Sequence, residues 1–156
     1  MEKLEKIEYI IVHHSERTID FPLFIKLRHK YPRYWEDIGY HYLIGGRNNL
    51  FTTNGKLYSG KPEEIIGTHA IGYNKNSLGI CLIGNFNKVY PSKEQLSTLF
   101  SFLNAKTEEY SIPIQNILGH RELPNVKKSC PGKLVNMDYI RKELNKLKNK
   151  NKRLFT

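Results

Sequence analysis

The chain predicts one α/β domain in which a mixed central β-sheet carries helices on its faces. Two observations carry that prediction. Short apolar runs of strand length, such as Ile10-Ile11-Val12 and Leu78 to Ile83, are interleaved with longer segments whose apolar residues recur at helical spacing. No internal repeat and no dividing linker interrupts them, and 156 residues suit a single core. Such an order buries its apolar surface most economically as a sheet covered by helices.

The first strand is expected over residues 7–13, Ile7-Glu8-Tyr9-Ile10-Ile11-Val12-His13. From about Phe21 to Lys30, Leu23, Phe24 and Leu27 repeat at helical spacing. Pro22 fits the first turn of that helix, Asp20 is its candidate cap and Pro32 ends it. Tyr40 to Ile44 is strand-like. With turns at Gly45-Gly46 and Asn54-Gly55, residues 40–60 form an expected antiparallel meander. Leu78 to Ile83 is a second core strand. Ser92-Lys93-Glu94-Gln95 is a capping-box pattern opening a helix with Leu96, Leu99, Phe100 and Leu103 on one face. That helix ends near Tyr110, before Pro113. Residues 111–135, rich in Pro, Asn and Gly, are expected to be mostly loop. A last helix is expected from about Asp138 to Lys148, with Ile140, Leu144 and Leu147 inward. The domain then spans 1–156, with a core of about 7–148 and a basic tail at 149–156.

Composition narrows the classes. With 39% hydrophobic and 26% charged residues the chain reads as soluble and globular. No run of apolar residues is long enough for a transmembrane helix. Met1 to Lys6 holds no apolar signal core, so export by the usual route is not expected. The two cysteines, Cys81 and Cys130, allow at most one disulfide. Cys81 lies in an apolar strand and reads as an inert buried thiol. Cys130 follows Lys127, Lys128 and Ser129, and nearby lysines favour the thiolate, the form that binds metal. The net charge of +10 calls for an acidic partner: nucleic acid, anionic lipid or a cell-wall polymer. From Arg141 to Arg153, seven basic residues face only Glu143, a local charge of +6; a solvated helix end is the plainer reading.

Three distant residues would form a metal site if the fold united them. His13 ends the first apolar run, His120 lies in Leu118-Gly119-His120-Arg121-Glu122, and Cys130 in Lys128-Ser129-Cys130-Pro131-Gly132. Two imidazoles and a thiolate suit Zn²⁺, and three protein ligands leave a fourth position for water, as in catalytic sites. Spacing alone would not select these three from six histidines and two cysteines. His14 is the main rival of His13. It and His41 alternate with Val-His and Gly-Tyr neighbours along strands and read as structural, their side chains turned to the other face. His29 reads as surface.

The surrounding words sharpen the choice. Val12-His13-His14-Ser15, Asp37-Ile38-Gly39-Tyr40-His41, Gly67-Thr68-His69-Ala70, Gly72-Tyr73-Asn74-Lys75-Asn76-Ser77-Leu78-Gly79-Ile80, Gly119-His120-Arg121-Glu122 and Ser129-Cys130-Pro131-Gly132 occur in that order. Together, over about residues 7–140, they resemble the zinc amidases of peptidoglycan: the N-acetylmuramoyl-L-alanine amidases of bacteria and phages and the animal peptidoglycan recognition proteins. The resemblance implies a single zinc ion held by His13, His120 and Cys130. It implies catalytic roles beside it for Tyr40 and Lys128, with Lys127 a competitor for the latter. A cation or hydroxyl aimed at the oxyanion of amide hydrolysis contributes about 2.7–4 kcal/mol; which of the two does so, and which handles protons, stays open. His69 matches a histidine lining the substrate groove of relatives. Asn74 and Asn76 fall in a loop expected to border that groove, turn formation being the alternative. Glu122 is a candidate to orient a ligand imidazole, or a plain surface carboxylate.

The expected function is therefore hydrolysis of the bond between N-acetylmuramic acid and L-alanine, with peptidoglycan as partner and a monomer as the expected state. A small basic amidase of this kind resembles a phage endolysin, held in the host cytoplasm until a holin admits it to the wall. The alternatives are a non-catalytic peptidoglycan-binding module of the same fold, and an amidase that also binds nucleic acid or a polymerase. The retained Cys130 favours the enzyme, because non-catalytic relatives typically lose that ligand. The basic tail is a candidate contact for anionic envelope components.

Overall fold

A computed structural model describes residues 2–31, 37–47 and 50–154. The chain runs β1 (Tyr9–His14), α1 (Pro22–Lys30), β2 (Tyr42–Ile44), β3 (Leu57–Ser59), β4 (Ser77–Leu82), α2 (Lys93–Glu109), β5 (Ile117–Gly119) and α3 (Met137–Leu154). The five strands form one mixed sheet in the order β3-β2-β4-β1-β5. Only β2 and β3 pair antiparallel, as the Gly- and Asn-rich segment between them predicts. β1 lies between two parallel partners, with His13 opposite Cys81 of β4 and Val12 opposite Gly119 of β5. Strands buried on both faces carry continuous apolar runs, and every residue of β4 is buried.

The period-two alternation of β1 divides the interior. Ile10 and Val12 join Ile80, Leu82, Leu99, Phe102, Leu103, Ile117, Ile140 and Leu144 in the core under α2 and α3. Ile11 enters a smaller cluster on the other face, with Ala70 and Leu123. Ile25 of α1 packs there too, with Ile38, Leu43, Cys81 and Ile83. α2 starts with the capping box read from sequence: Ser92 Oγ accepts from Gln95 N–H at 3.0 Å, and Gln95 Oε1 accepts from Ser92 N–H at 3.1 Å.

Several expectations need correction. Leu23, Phe24 and Leu27 do not form the inner face of α1; all three are exposed, and the helix buries Ile25 and His29. His29 is therefore no surface residue, and its Nδ1 accepts from the Gly39 N–H at 3.0 Å. Asp20 does not cap α1. Phe21 holds that position without a side-chain cap, and the buried Asp20 carboxylate ion-pairs with Arg28. Pro32 lies outside the described residues. Residues 111–135 are mostly loop, as expected, but Ile117–Gly119 adds β5 to the sheet. Three residues carry no readable periodicity; the partner strand over a hundred positions earlier makes them a strand. On α2 the buried apolar residues are Leu99, Phe102 and Leu103, with Leu96 and Phe100 half-buried. Finally, α3 continues to Leu154, so most of the expected tail is helical, and Leu147 points outward at 42% exposure.

Candidate metal centre and its cavity

β1 brings His13 to the end of the central strand, where alternation separates it from its neighbour. His13 is 1% exposed and turns toward the α1 side. His14 turns to the other face, stacks 6.0 Å from the Phe86 ring, and accepts from the Phe86 N–H at 3.3 Å. β5 pairs beside β1 and ends at Gly119, so the next residue, His120, stands 4.6 Å from His13, ring centroid to ring centroid. Cys130 comes from the following loop. Arg121 ties that loop down: its N–H donates to the Cys130 carbonyl at 2.6 Å, and its guanidinium to the carbonyls of Gly132 and Val135, each at 2.6 Å. The sequence reading left Arg121 without a role, although an always-charged fork between one candidate ligand and a Pro-Gly turn was a signal. Gly132 adopts a φ of +108°, and a β-carbon there would come 2.6 Å from the Phe86 backbone, so the turn after Cys130 requires glycine.

His13, His120 and Cys130 offer ligand atoms that all lie within 4.8 Å of one another, the one such group among the described residues. Their geometry fits a tetrahedral ion. Zn–N and Zn–S legs of about 2.05 and 2.3 Å, opened to a tetrahedral angle, span about 3.6 Å, and His13 Nδ1 lies 3.6 Å from Cys130 Sγ. The group sits in a cavity of about 1000 Å³ that is also lined by Tyr40, His69 and Lys128. The Tyr40 ring lies 5.0 Å from that of His13. Lys127 does not line the cavity, so geometry separates it from Lys128.

Burial sets the protonation of the cluster. It pushes His13 well below the ordinary imidazole value, helped by His69 and His120, and pushes His69 down to about 3. His120 is lowered by burial and by Lys128. All three imidazoles are neutral at pH 7, the form that binds metal. Cys130 departs from expectation. Its burial outweighs the nearby Lys128 and Arg121 charges and pushes the thiol up to about 11, so a metal must displace a bound proton there. Cys81 is fully buried, and burial holds its thiol well above the usual value, as its apolar run implied.

The remaining candidates take specific places. His69 is 8% exposed, and its Nδ1 lies 3.1 Å from His13 Nε2. Asn74 Oδ1 accepts from the N–H groups of His69 and Ala70 at 2.9 and 2.7 Å, holding the turn that carries His69. Asn76 Nδ2 donates to Glu8 at 2.9 Å, and its carbonyl accepts from Glu8 and Tyr9 at the start of β1. Neither asparagine lines the cavity; the Asn74 side chain holds backbone N–H groups, and that of Asn76 the Glu8 carboxylate. Glu122 accepts from the Gly119 N–H at 2.7 Å and pairs with Arg141 at 2.8 Å. It therefore holds the peptide entering His120 and not the imidazole. Arg141, counted as tail charge, also donates to the Ile117 carbonyl at 2.9 Å and clamps β5 to α3. His41 is structural, as expected: its Nδ1 accepts from Gly79 N–H and its Nε2 bonds the Ile65 carbonyl, both at 2.9 Å.

Fold and site together define a single-domain α/β protein in which three candidate metal ligands meet at the edge of a cavity. Residues 3–133 match the model of the N-acetylmuramoyl-L-alanine amidases, and the chain belongs to that family. It is 33% identical over 134 residues to peptidoglycan-recognition protein LB of Drosophila melanogaster, covering 80% of this chain and 54% of that protein. The chain spans about half the length of the curated relatives it matches first. Among solved structures, the endolysin amidase LysCS of Clostridium intestinale superposes with a TM-score of 0.79 at 30% identity, over 90% of this chain and 84% of that one. A mutant of Drosophila PGRP-LB in complex with tracheal cytotoxin superposes with a TM-score of 0.73 at 29% identity, over 86% and 80%.

Proposed function

We propose that the protein is a zinc-dependent N-acetylmuramoyl-L-alanine amidase that hydrolyses the amide between the lactyl group of N-acetylmuramic acid and L-alanine in peptidoglycan. The observation that carries the reading is the convergence of His13, His120 and Cys130 on one cavity with Tyr40 and Lys128 in its lining. Bound by those three residues, zinc supplies a Lewis acid and lowers the pKa of a coordinated water toward about 7. The chain supplies the rest. Tyr40 and Lys128 both line the cavity, and a phenol and an ammonium are each chemically able to donate to the oxygen that gains charge as the amide is attacked. The cavity, at about 1000 Å³, is of a size for the sugar–peptide junction. A role for His69 as a groove wall fits its place in the lining.

The likeness to an endolysin supports a phage lysis setting. In it, the protein accumulates in the host cytoplasm and reaches the wall through a holin. The second half of α3, carrying Lys146, Lys148, Lys150, Lys152 and Arg153, is the proposed contact for anionic envelope components, worth about 1 kcal/mol per basic residue near an anionic surface.

Digestion of purified peptidoglycan, with mass spectrometry of the products and a chelator control, tests the reading. New N-terminal L-alanine, lost on chelation and absent with Cys130→Ala, is the expected result. New reducing sugar ends, or full cleavage by Cys130→Ala, would overturn it. Binding to peptidoglycan without cleavage would make the protein a recognition module.

A further inference from the structure

We propose that His69 is a positioning residue: it fixes His13 in the tautomer protonated on Nε2, so that Nδ1 turns its lone pair toward the metal. The proposal rests on the metal centre described above and adds a buried chain of groups behind it. His13 Nε2 and His69 Nδ1 lie 3.1 Å apart, and His69 Nε2 lies 3.5 Å from Ser77 Oγ. Ser77 Oγ in turn lies 2.6 Å from the Tyr73 carbonyl.

The protons along this chain follow from its far end. A carbonyl only accepts, so the single hydroxyl proton of Ser77 goes to Tyr73. Toward His69, Ser77 then offers a lone pair, and His69 Nε2 must carry the proton. A neutral imidazole holds one proton, so His69 Nδ1 is an acceptor. His13 Nε2 therefore donates to it, and His13 Nδ1, 3.6 Å from Cys130 Sγ, is left bare. The reverse assignment places a proton on His13 Nδ1, aimed at the metal position, and sets two acceptors against each other at Ser77.

The fold is shaped around this ring. A β-carbon on Gly79 would stand 2.6 Å from His69 Cγ, and one on Gly67 would stand 2.5 Å from His69 Cδ2. Two glycines thus give the imidazole its slot, and Asn74 holds its backbone from the other side. A ligand histidine ordinarily hands its second proton to a carboxylate, a carbonyl or water. Here another imidazole takes it, and a hydroxyl and a carbonyl, not a carboxylate, follow in the chain.

Long-range ¹H–¹⁵N spectra of the metal-free full chain read the tautomers directly. Protons on Nε2 of both His13 and His69 are expected; a His13 protonated on Nδ1 overturns the proposal. Zinc affinity, measured by competition with a chromophoric chelator, supplies a second readout. His69→Phe fills the slot without an acceptor and is expected to weaken zinc about 10–100-fold. His69→Asn, whose Oδ1 stands near the lost Nδ1, is expected to recover most of that loss. Far-UV circular dichroism and metal-free melting temperature separate this from loss of fold. A folded His69→Phe that binds zinc as the unaltered chain does also overturns it, as does a folded His69→Asn with no recovery. If His69→Phe does not fold, the spectra of the unaltered chain decide. If the unaltered chain takes up no zinc, the metal centre itself fails, whichever tautomer the spectra show.

Discussion

Replacing Arg121 with methionine tests how the loop bearing Cys130 is held. The guanidinium donates to two loop carbonyls at 2.6 Å and reaches Ser129 O at a weaker 3.4 Å. Hydrogen bonds involving a charged group contribute about 1.5–3 kcal/mol each. Methionine keeps much of the packing of the stem. Two strong bonds on a half-buried side chain, partly replaced by water, give an expected loss of about 3 kcal/mol. In a chain of this length that corresponds to about 6–12 °C in melting temperature. Zinc affinity should fall with it, because the Cys130 loop loses its clamp, whereas Arg121→Lys should retain part of both by reaching one carbonyl. Calorimetry and chelator competition, each with and without zinc, measure the two effects. If Arg121→Met melts and binds zinc as the unaltered chain does, the guanidinium is not what holds the loop.

Glu63 provides a pH test. Burial alone would raise its carboxyl, but hydrogen bonds from Lys106, Tyr110 and Tyr42 outweigh burial and hold it below the ordinary carboxylate value. The unfolded chain therefore binds the proton more readily, and the stabilisation is full above the ordinary carboxylate pKa and lost as pH falls through the folded one. Melting temperatures between pH 7 and 3 should fall less steeply in Glu63→Gln; an unchanged slope refutes this. Leu144, fully buried, should cost about 2–5 kcal/mol as alanine, and the outward Leu147 under about 1 kcal/mol, by urea titration. Equal losses would mean that α3 packs along a longer stretch. Gly79→Ala should displace the His69 ring, lowering both the melting temperature and zinc affinity; an unaffected protein would show that the slot yields.

The legible parts of the chain were those with local signatures. The long apolar runs of β1 and β4, the capping box of α2 and the glycine turns of the meander each follow from a few adjacent residues. The three candidate ligands were legible because distinctive words surround them. What escaped was decided by distant partners. The three residues of β5 become a strand only against β1. The inner face of α1 is set by the slot that receives Ile25 and His29, not by its most apolar stripe. Arg121, Glu122 and Arg141 are surface charges by composition, yet they join the ligand loops to β5 and α3. Asn74 and Asn76 follow His69 closely in sequence, but the side chain of Asn74 is spent on a backbone turn and that of Asn76 on the Glu8 carboxylate.

β1 sits between β4 and β5, and this placement orders assembly in time. Parallel neighbours cannot be joined by a tight hairpin, and contacts of large sequence separation form slowly. Cys130 is 117 residues from His13, so all three candidate ligands meet only after β5, the last strand of the parallel core in chain order, has docked. A zinc ion bound at the proposed centre would therefore find no complete site in the early chain. It would act on the finished molecule by slowing its opening, and the rate at which refolding chains took it up would be a clock for the closing of the sheet.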